Sequence, residues 1–256
     1  MQRANDGSAG DVDYSRFASG YTDYRQPDPR IAALIEAALG DAVTVLNVGA
    51  GAGSYEPADR TVTAVEPSAS MRAQRPPFRA KAIDATAETL PFEPNSFDAA
   101  MSTFSVHQWP GLEAGLTKVR SVAKDAVVIM SMDPTLLENF WLNDYAPEVM
   151  QTEARRFPTI ERIADALGRD IEVGVVEIPL DCTDGFNQAY YGRPELLLDA
   201  GARRANSAWS FVGDDIEQRF VRDLSRDLDE GAWDEKYGYL RTTLTYDAAL
   251  RLVVSR

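Results

Sequence analysis

The segment Val45-Leu46-Asn47-Val48-Gly49-Ala50-Gly51-Ala52-Gly53-Ser54-Tyr55, with Val62-Thr63-Ala64-Val65-Glu66-Pro67 after it, constrains this chain more than any other. An apolar run rich in branched residues reads as a buried strand. It stops at Gly49, Gly51 and Gly53, where the chain can turn sharply and a ligand can lie against bare backbone. A second apolar run ends in Glu66, thirteen residues after Gly53. The pattern predicts a βαβ unit with a ligand-binding first turn. The acid at the tip of its second strand is placed to accept hydrogen bonds from a ribose diol. The plainer reading is a tight turn beside a surface glutamate, but strand, loop and spacing agree on a ligand site.

At 256 residues and 45% apolar content the chain can build one large α/β domain. A net charge of −14 argues against nucleic-acid backbones and anionic membranes as partners. His107 and Cys182 are the only histidine and cysteine, which excludes an internal disulfide and histidine- or thiolate-rich metal sites; no metal is expected. The N-terminus is polar and no stretch reaches membrane-spanning length, so a cytoplasmic protein is expected.

Apolar and turn patterns order the elements. Tyr14, Phe17, Tyr21 and Tyr24 fall at helical spacing, and Asp28-Pro29 opens a second helix whose inner face is Ile31, Leu34, Ile35 and Leu39. Strands are expected near 43–48, 61–66, 79–83, 95–102 and 125–130, with helices at 71–74 and 112–122. Such alternation predicts a mostly parallel sheet with helices on both faces. The rhythm breaks after Asp133-Pro134. Residues 135–168 and 183–230 read as mainly helical insertions, Ile171–Leu180 as strand, and Leu250–Val254 as a closing strand.

The glycine spacing separates two ligand classes. A dinucleotide fingerprint, Gly-x-Gly-x-x-Gly, wants glycine at the sixth position, where this chain has Ser54. Gly-x-Gly-x-Gly with an acid closing the next strand resembles the class I S-adenosylmethionine-dependent methyltransferases. Ala87-Glu88-Thr89-Leu90-Pro91-Phe92 followed by Ser96-Phe97-Asp98 resembles the signature of their UbiE-like, or type 11, group. The resemblance covers nearly the whole chain. It implies a Rossmann-like fold with a seven-stranded, mostly parallel sheet, spanning 1–256 as one domain with an N-terminal helical cap at about 11–40 and substrate-side insertions at 135–168 and 183–230. The implied cofactor is S-adenosyl-L-methionine. Its implied contacts are the loop Asn47, Gly49, Ala50, Gly51 and Gly53, then Glu66 and Pro67, the adenine loop Thr86, Ala87 and Glu88, and the turn Ser102, Thr103 and Phe104. The group often has aspartate where this chain has Thr86, so either Asp84 or the backbone at Thr86-Ala87 meets the adenine. Asn47 replaces a commoner aspartate.

Other candidates carry two readings each. Tyr14 and Tyr21 either touch cofactor or fill core. Arg25 either pairs with the methionine carboxylate, as an arginine fork suits, or ends a helix in solvent. Trp109, Trp141, Tyr145, Tyr190 and Arg193 either line an acceptor pocket or hold the insertions in place. His107 follows a predicted strand at the carboxyl edge of the sheet, and an unperturbed imidazole there suits a proton acceptor near neutral pH or an orienting group. The expected activity is methyl transfer to a small metabolite or natural-product intermediate, by a monomer or homodimer. The competing readings are a nicotinamide-dependent oxidoreductase on the same sheet and a protein that binds the cofactor without transferring its methyl group.

Overall fold

The computed structural model describes residues 9–11, 20–168 and 170–256. Tyr14 lies outside the described residues. In chain order the elements are α1 (Tyr21–Tyr24), α2 (Pro29–Ala38), β1 (Thr44–Val48), β2 (Thr61–Val65), α3 (Ala69–Ala73), β3 (Ala99–Thr103), α4 (Leu112–Val122) and β4 (Val127–Met132). There follow α5 (Pro147–Arg156), α6 (Ile160–Leu167), β5 (Ile171–Val175), β6 (Ile178–Pro179), α7 (Ala200–Arg204), α8 (Asp214–Asp229), α9 (Ala232–Tyr237), β7 (Thr245–Tyr246) and β8 (Leu250–Ser255), with 3₁₀ turns between them.

Six strands form the main sheet in the order β2-β1-β3-β4-β8-β5. β2, β1, β3 and β4 pair in parallel, and β8 alone runs against its neighbours. Side chains alternate across the central strands with the period of two that a pleated strand imposes. Val45, Met101, Val128 and Met130 meet Ile31 and Ile35 of α2, Phe220 of α8 and Trp233 of α9. Leu46, Ala100, Val127 and Ile129 meet Leu116 and Val119 of α4 and Ile163 and Leu167 of α6. Both faces are covered, which is why these strands read as unbroken apolar runs.

Four expectations change. The sheet has six strands rather than seven. The stretch near 79–83 keeps only the bridge between Val65 and Ile83, because Arg79 turns away to donate to the Glu56 carbonyl at 2.7 Å. The crossover from β1 to β2 contains no helix. Gly53 and Pro57 interrupt it, and Arg75 braces it instead, donating to both Glu56 carboxylate oxygens at 2.9 Å. Leu34 is 44% exposed, and Ala38 takes the inner place on α2.

Candidate active site

β1 and β3 lie side by side although the chain visits β2 between them, so the sheet reverses direction of growth at their carboxyl ends. Ligands of open α/β sheets bind in that crevice. Here it is a cleft with about 920 Å³ of space between its walls, part of it open to solvent. Its floor is the loop after β1. Gly49 and Gly51 have φ of +68° and +50°, values that disfavour side chains. A Cβ on Gly49 would also collide with Ser105 Oγ. Glycine therefore lets the loops after β1 and β3 touch, and Trp109 Nε1 closes the join by donating to Ser105 Oγ at 3.0 Å.

Glu66 stands one residue beyond β2 and lines the cleft, 7% exposed. Its two oxygens accept from Gly51 N and Ser68 N, both at 2.8 Å. A carboxylate offers about four acceptor sites, enough to brace the glycine loop and also serve a ribose diol. Ala50, Pro67, Thr86, Ala87, Glu88, Thr103 and Phe104 also line the cleft, as do Tyr21 and Arg25. Glu88 accepts from Gly111 N at 2.8 Å and so anchors the start of α4. Asp84 is not on the wall; its carboxylate pairs with Arg72 at 3.3 Å. Thr86 and Ala87, by contrast, are on the wall.

Three of the expected cofactor contacts stand behind the cleft. Asn47 is 1% exposed and donates to Glu56 Oε1 at 3.1 Å, as a strut under the loop. A Cβ on Gly53 would meet Arg75 and Glu56 at 3.2 Å, so Gly53 makes room for their ion pair. Ser102 is fully buried, since alternation along β3 points it into the sheet and leaves Thr103 at the edge.

Arg25 is neither a solvated helix end nor an unpaired fork. Its Nε donates to Asp184 Oδ1 and its Nη2 to Oδ2 at 3.4 Å, and Tyr55 Oη donates to Asp184 Oδ2 at 2.9 Å. Burial opposes the charge on Arg25, but the Asp184 carboxylate outweighs it and holds the guanidinium protonated. The guanidinium lies over Phe104 with its centre 5.0 Å from the ring. Phe104 and Tyr55 both sit on the cleft wall with left-handed backbone, at φ of 50° and 60°. Bulky residues rarely adopt it, and such strain gathers at ligand sites.

Tyr21, Arg25 and Phe104 separate this cleft from an inner cavity of about 620 Å³. His107 lines the inner cavity and not the outer cleft. Its ring lies 4.2 Å from that of Phe157, and its Nδ1 is buried without a hydrogen-bond partner among the described residues. The Gln108 amide satisfies its neighbours when its oxygen accepts from His107 Nε2 at 2.9 Å, which leaves the Nδ1 lone pair unprotonated. Burial, then the charges of Arg156 and Arg25, push the imidazole pKa well below its usual value. His107 therefore stays neutral at physiological pH, and the expected titration near neutrality does not apply.

The proposed acceptor residues lie elsewhere. Trp109 borders the outer cleft. Trp141 is 2% exposed and meets Trp233 edge-on, centroids 5.8 Å apart, while Tyr145 Oη donates to Asp227 at 3.0 Å. Both fasten the insertion to α8 and α9. Arg193 donates to the Cys182 and Ala189 carbonyls at 2.8 and 3.1 Å, with Tyr190 packed beneath it. The inner wall is instead Met132, Phe157, Phe186, Glu153 and Arg156, with Arg204 and Asn206. Among the described residues, no three His, Cys, Asp or Glu side chains are grouped to hold a metal, and no helix is long and apolar enough to cross a membrane.

A model of the methyltransferase domain matches residues 46–130, the stretch that builds the outer cleft. A protein of Anabaena variabilis, described as a methyltransferase from an antibiotic biosynthesis pathway, is 28% identical. The match covers 91% of this chain and 99% of that one, with a TM-score of 0.84. The chain carries a type 11 methyltransferase domain over residues 46–130. It is a class I, S-adenosylmethionine-dependent enzyme. Two more distant structures share the fold. The Bacillus subtilis protein YcgJ is 14% identical (88% of this chain, 97% of that one, TM-score 0.50). A Haemonchus contortus phosphoethanolamine N-methyltransferase, solved with phosphomonomethylethanolamine and S-adenosylhomocysteine, is 17% identical (95% and 59%, TM-score 0.51). No curated protein matches the sequence.

The glycine floor, the braced carboxylate and the Thr86-Ala87 rim of this methyltransferase fit its cofactor. Asp184, Tyr55, Glu153, Arg156 and Phe186 carry no motif and were not legible as site residues. One signal existed. Met150, Glu153 and Phe157 lie at helical spacing, which puts an acid on an otherwise apolar stripe.

Proposed function

We propose that this methyltransferase acts on a small-molecule acceptor held in the inner cavity, with the cofactor in the outer cleft. The supporting observation is that the two cavities adjoin across Tyr21, Arg25 and Phe104. Bound S-adenosylmethionine supplies an electrophilic methyl carbon with a neutral leaving group, so transfer is an in-line displacement with no developing negative charge for a metal to stabilise. The protein's part is positioning in a dry site. Gly49, Gly51 and Glu66 fix the cofactor end, Arg25 and Phe104 shape the partition, and His107 orients the acceptor through its unprotonated Nδ1. Residues 1–256 work as one unit in which about 11–40 cap the cofactor. Within 135–168 and 183–230, the end of α5 and the segment around Phe186 and Asn206 supply the acceptor side.

The aromatic lining of the inner cavity suits a compact, partly apolar metabolite rather than a peptide or nucleic acid, and the charge of −14 argues against nucleic acid. The described pathway of the Anabaena relative supports a natural-product intermediate. The test is label transfer from methyl-labelled S-adenosylmethionine into a small-molecule pool, a peptide pool and RNA. Label confined to small molecules is expected. Label in RNA or peptide instead would refute the acceptor class.

A further inference from the structure

Glu153 has no part in the cofactor site, yet it is 8% exposed, lines the inner cavity and carries no counter-ion within salt-bridge distance among the described residues. Its Oε1 accepts from Asn187 Nδ2 at 2.8 Å, and Asn187 is itself held by Trp209 Nε1 at 3.0 Å. Its Oε2 is buried with no hydrogen-bond partner among the described residues. A buried carboxylate oxygen left so is costly unless a ligand supplies the missing donor. Phe104, Phe157 and Phe186 wall the same cavity, so the donor belongs to a flat or apolar body.

The charges around it select the donor. Arg25, Arg156 and Arg204 border the cavity, and Tyr21 and His107 are the other titratable groups on its wall. Arg25 is paired with Asp184 and Arg156 with Asp11 at 2.8 Å. With those two guanidiniums neutralised by their partners, Arg204 is the cation on the wall left to favour an acceptor that becomes an oxyanion as it loses its proton.

Resting on the acceptor reading above, we propose that Glu153 Oε2 is the base that takes the proton from an acidic hydroxyl, phenolic or enolic, on an acceptor seated in the inner cavity. The acceptor oxygen forms its bond to the methyl carbon, and the methyl–sulfur bond breaks with its electron pair going to sulfur. The hydroxyl proton ends on Glu153 and leaves later to solvent. Burial raises the carboxyl to about 7, against the Asn187 hydrogen bond and the charges of Arg156 and Arg25. That value suits a general base at neutral pH, whereas the depressed imidazole of His107 does not.

The test uses 4-fluorophenol as probe, followed by fluorine NMR on the full chain saturated with S-adenosylhomocysteine. A phenol of ordinary acidity, with a pKa of about 10, stays neutral over the range examined. Its affinity for the wild type should rise about fivefold from roughly pH 5.5 to 8.5 as Glu153 becomes a charged acceptor. In Glu153→Gln the affinity should be pH-independent, with S-adenosylhomocysteine bound as in the wild type. The methyl ether 4-fluoroanisole, which lacks the donor, should bind the wild type with no such rise. A flat phenol profile in the wild type, an unchanged rise in Glu153→Gln, or the same rise with the ether would each overturn the proposal. The wild-type profile decides the matter even if the variant fails to fold. Failure of the wild type to bind S-adenosylhomocysteine at all would count against the cofactor site instead.

Discussion

Gly49, Glu66 and His107 depend on neighbours of different kinds, and their replacements should separate accordingly. Gly49→Ala forces a side chain into left-handed backbone and against Ser105 Oγ. It should lower stability by more than about 1 kcal/mol, measured as a drop in Tm. Glu66→Ala removes the acceptor of two backbone N–H groups as well as the carboxylate proposed to meet the cofactor ribose. Hydrogen bonds to a charged group are worth about 1.5–3 kcal/mol each, so calorimetry should show S-adenosylhomocysteine affinity reduced at least tenfold. His107→Ala should leave that affinity unchanged, because the imidazole faces the other cavity. Turnover should fall by less than about 10², the low end for a group that transfers protons, and the rate should not follow an imidazole titration near neutrality. At this scale, what could be read in the sequence followed local backbone demand. Gly49, Gly51 and Glu66 announce themselves because a turn and a strand end permit few alternatives. Trp141 and Tyr145 look like pocket residues in a linear chain, and only the packing of α8 and α9 against them reveals mortar.

The cofactor end and the insertions are joined at Asp184, which ties Arg25 after α1 and Tyr55 in the glycine loop to the segment before α7. Asp184 is 2% exposed. Asp184→Ala leaves a guanidinium buried without its partner, a change that typically costs about 3–5 kcal/mol, and thermal unfolding should report it. On α5, Glu153 titrates higher in the folded chain than in the unfolded one, at about 7 against 4.5. Its contribution to stability is thus fully present below the unfolded value and is lost as pH rises through the folded value. The Tm of Glu153→Gln should exceed that of the wild type above neutrality, and the gap should close near the unfolded carboxyl value. A gap that is constant with pH would mean that Glu153 is ionised throughout. Elements with strong apolar period were legible to within a residue for β1 and α4 and to within two for β4. The strand near 79–83 and the crossover helix were not, because Arg79 and Arg75 are drawn to Glu56, a contact between distant positions that no local pattern encodes.

Across the molecule, one sheet carries two adjoining cavities that share Tyr21, Arg25 and Phe104. The sequence marks the outer cleft because its ligand lies on backbone at a strand-to-loop turn. The inner cavity gathers Phe104 and His107, Glu153, Phe186 and Asn206 from four separate segments, so it becomes visible only on folding. With a neutral leaving group and a single histidine and cysteine, turnover should survive chelation. Activity lost to EDTA and restored by magnesium would point to a carboxylate metal site. The glycine floor and Glu66 suit S-adenosylmethionine rather than a nicotinamide dinucleotide. Titration calorimetry of the wild type with S-adenosylhomocysteine and, separately, NAD tests it most directly. A saturable heat with S-adenosylhomocysteine and none with NAD is the predicted result. Tight binding of NAD with no response to S-adenosylhomocysteine would contradict it.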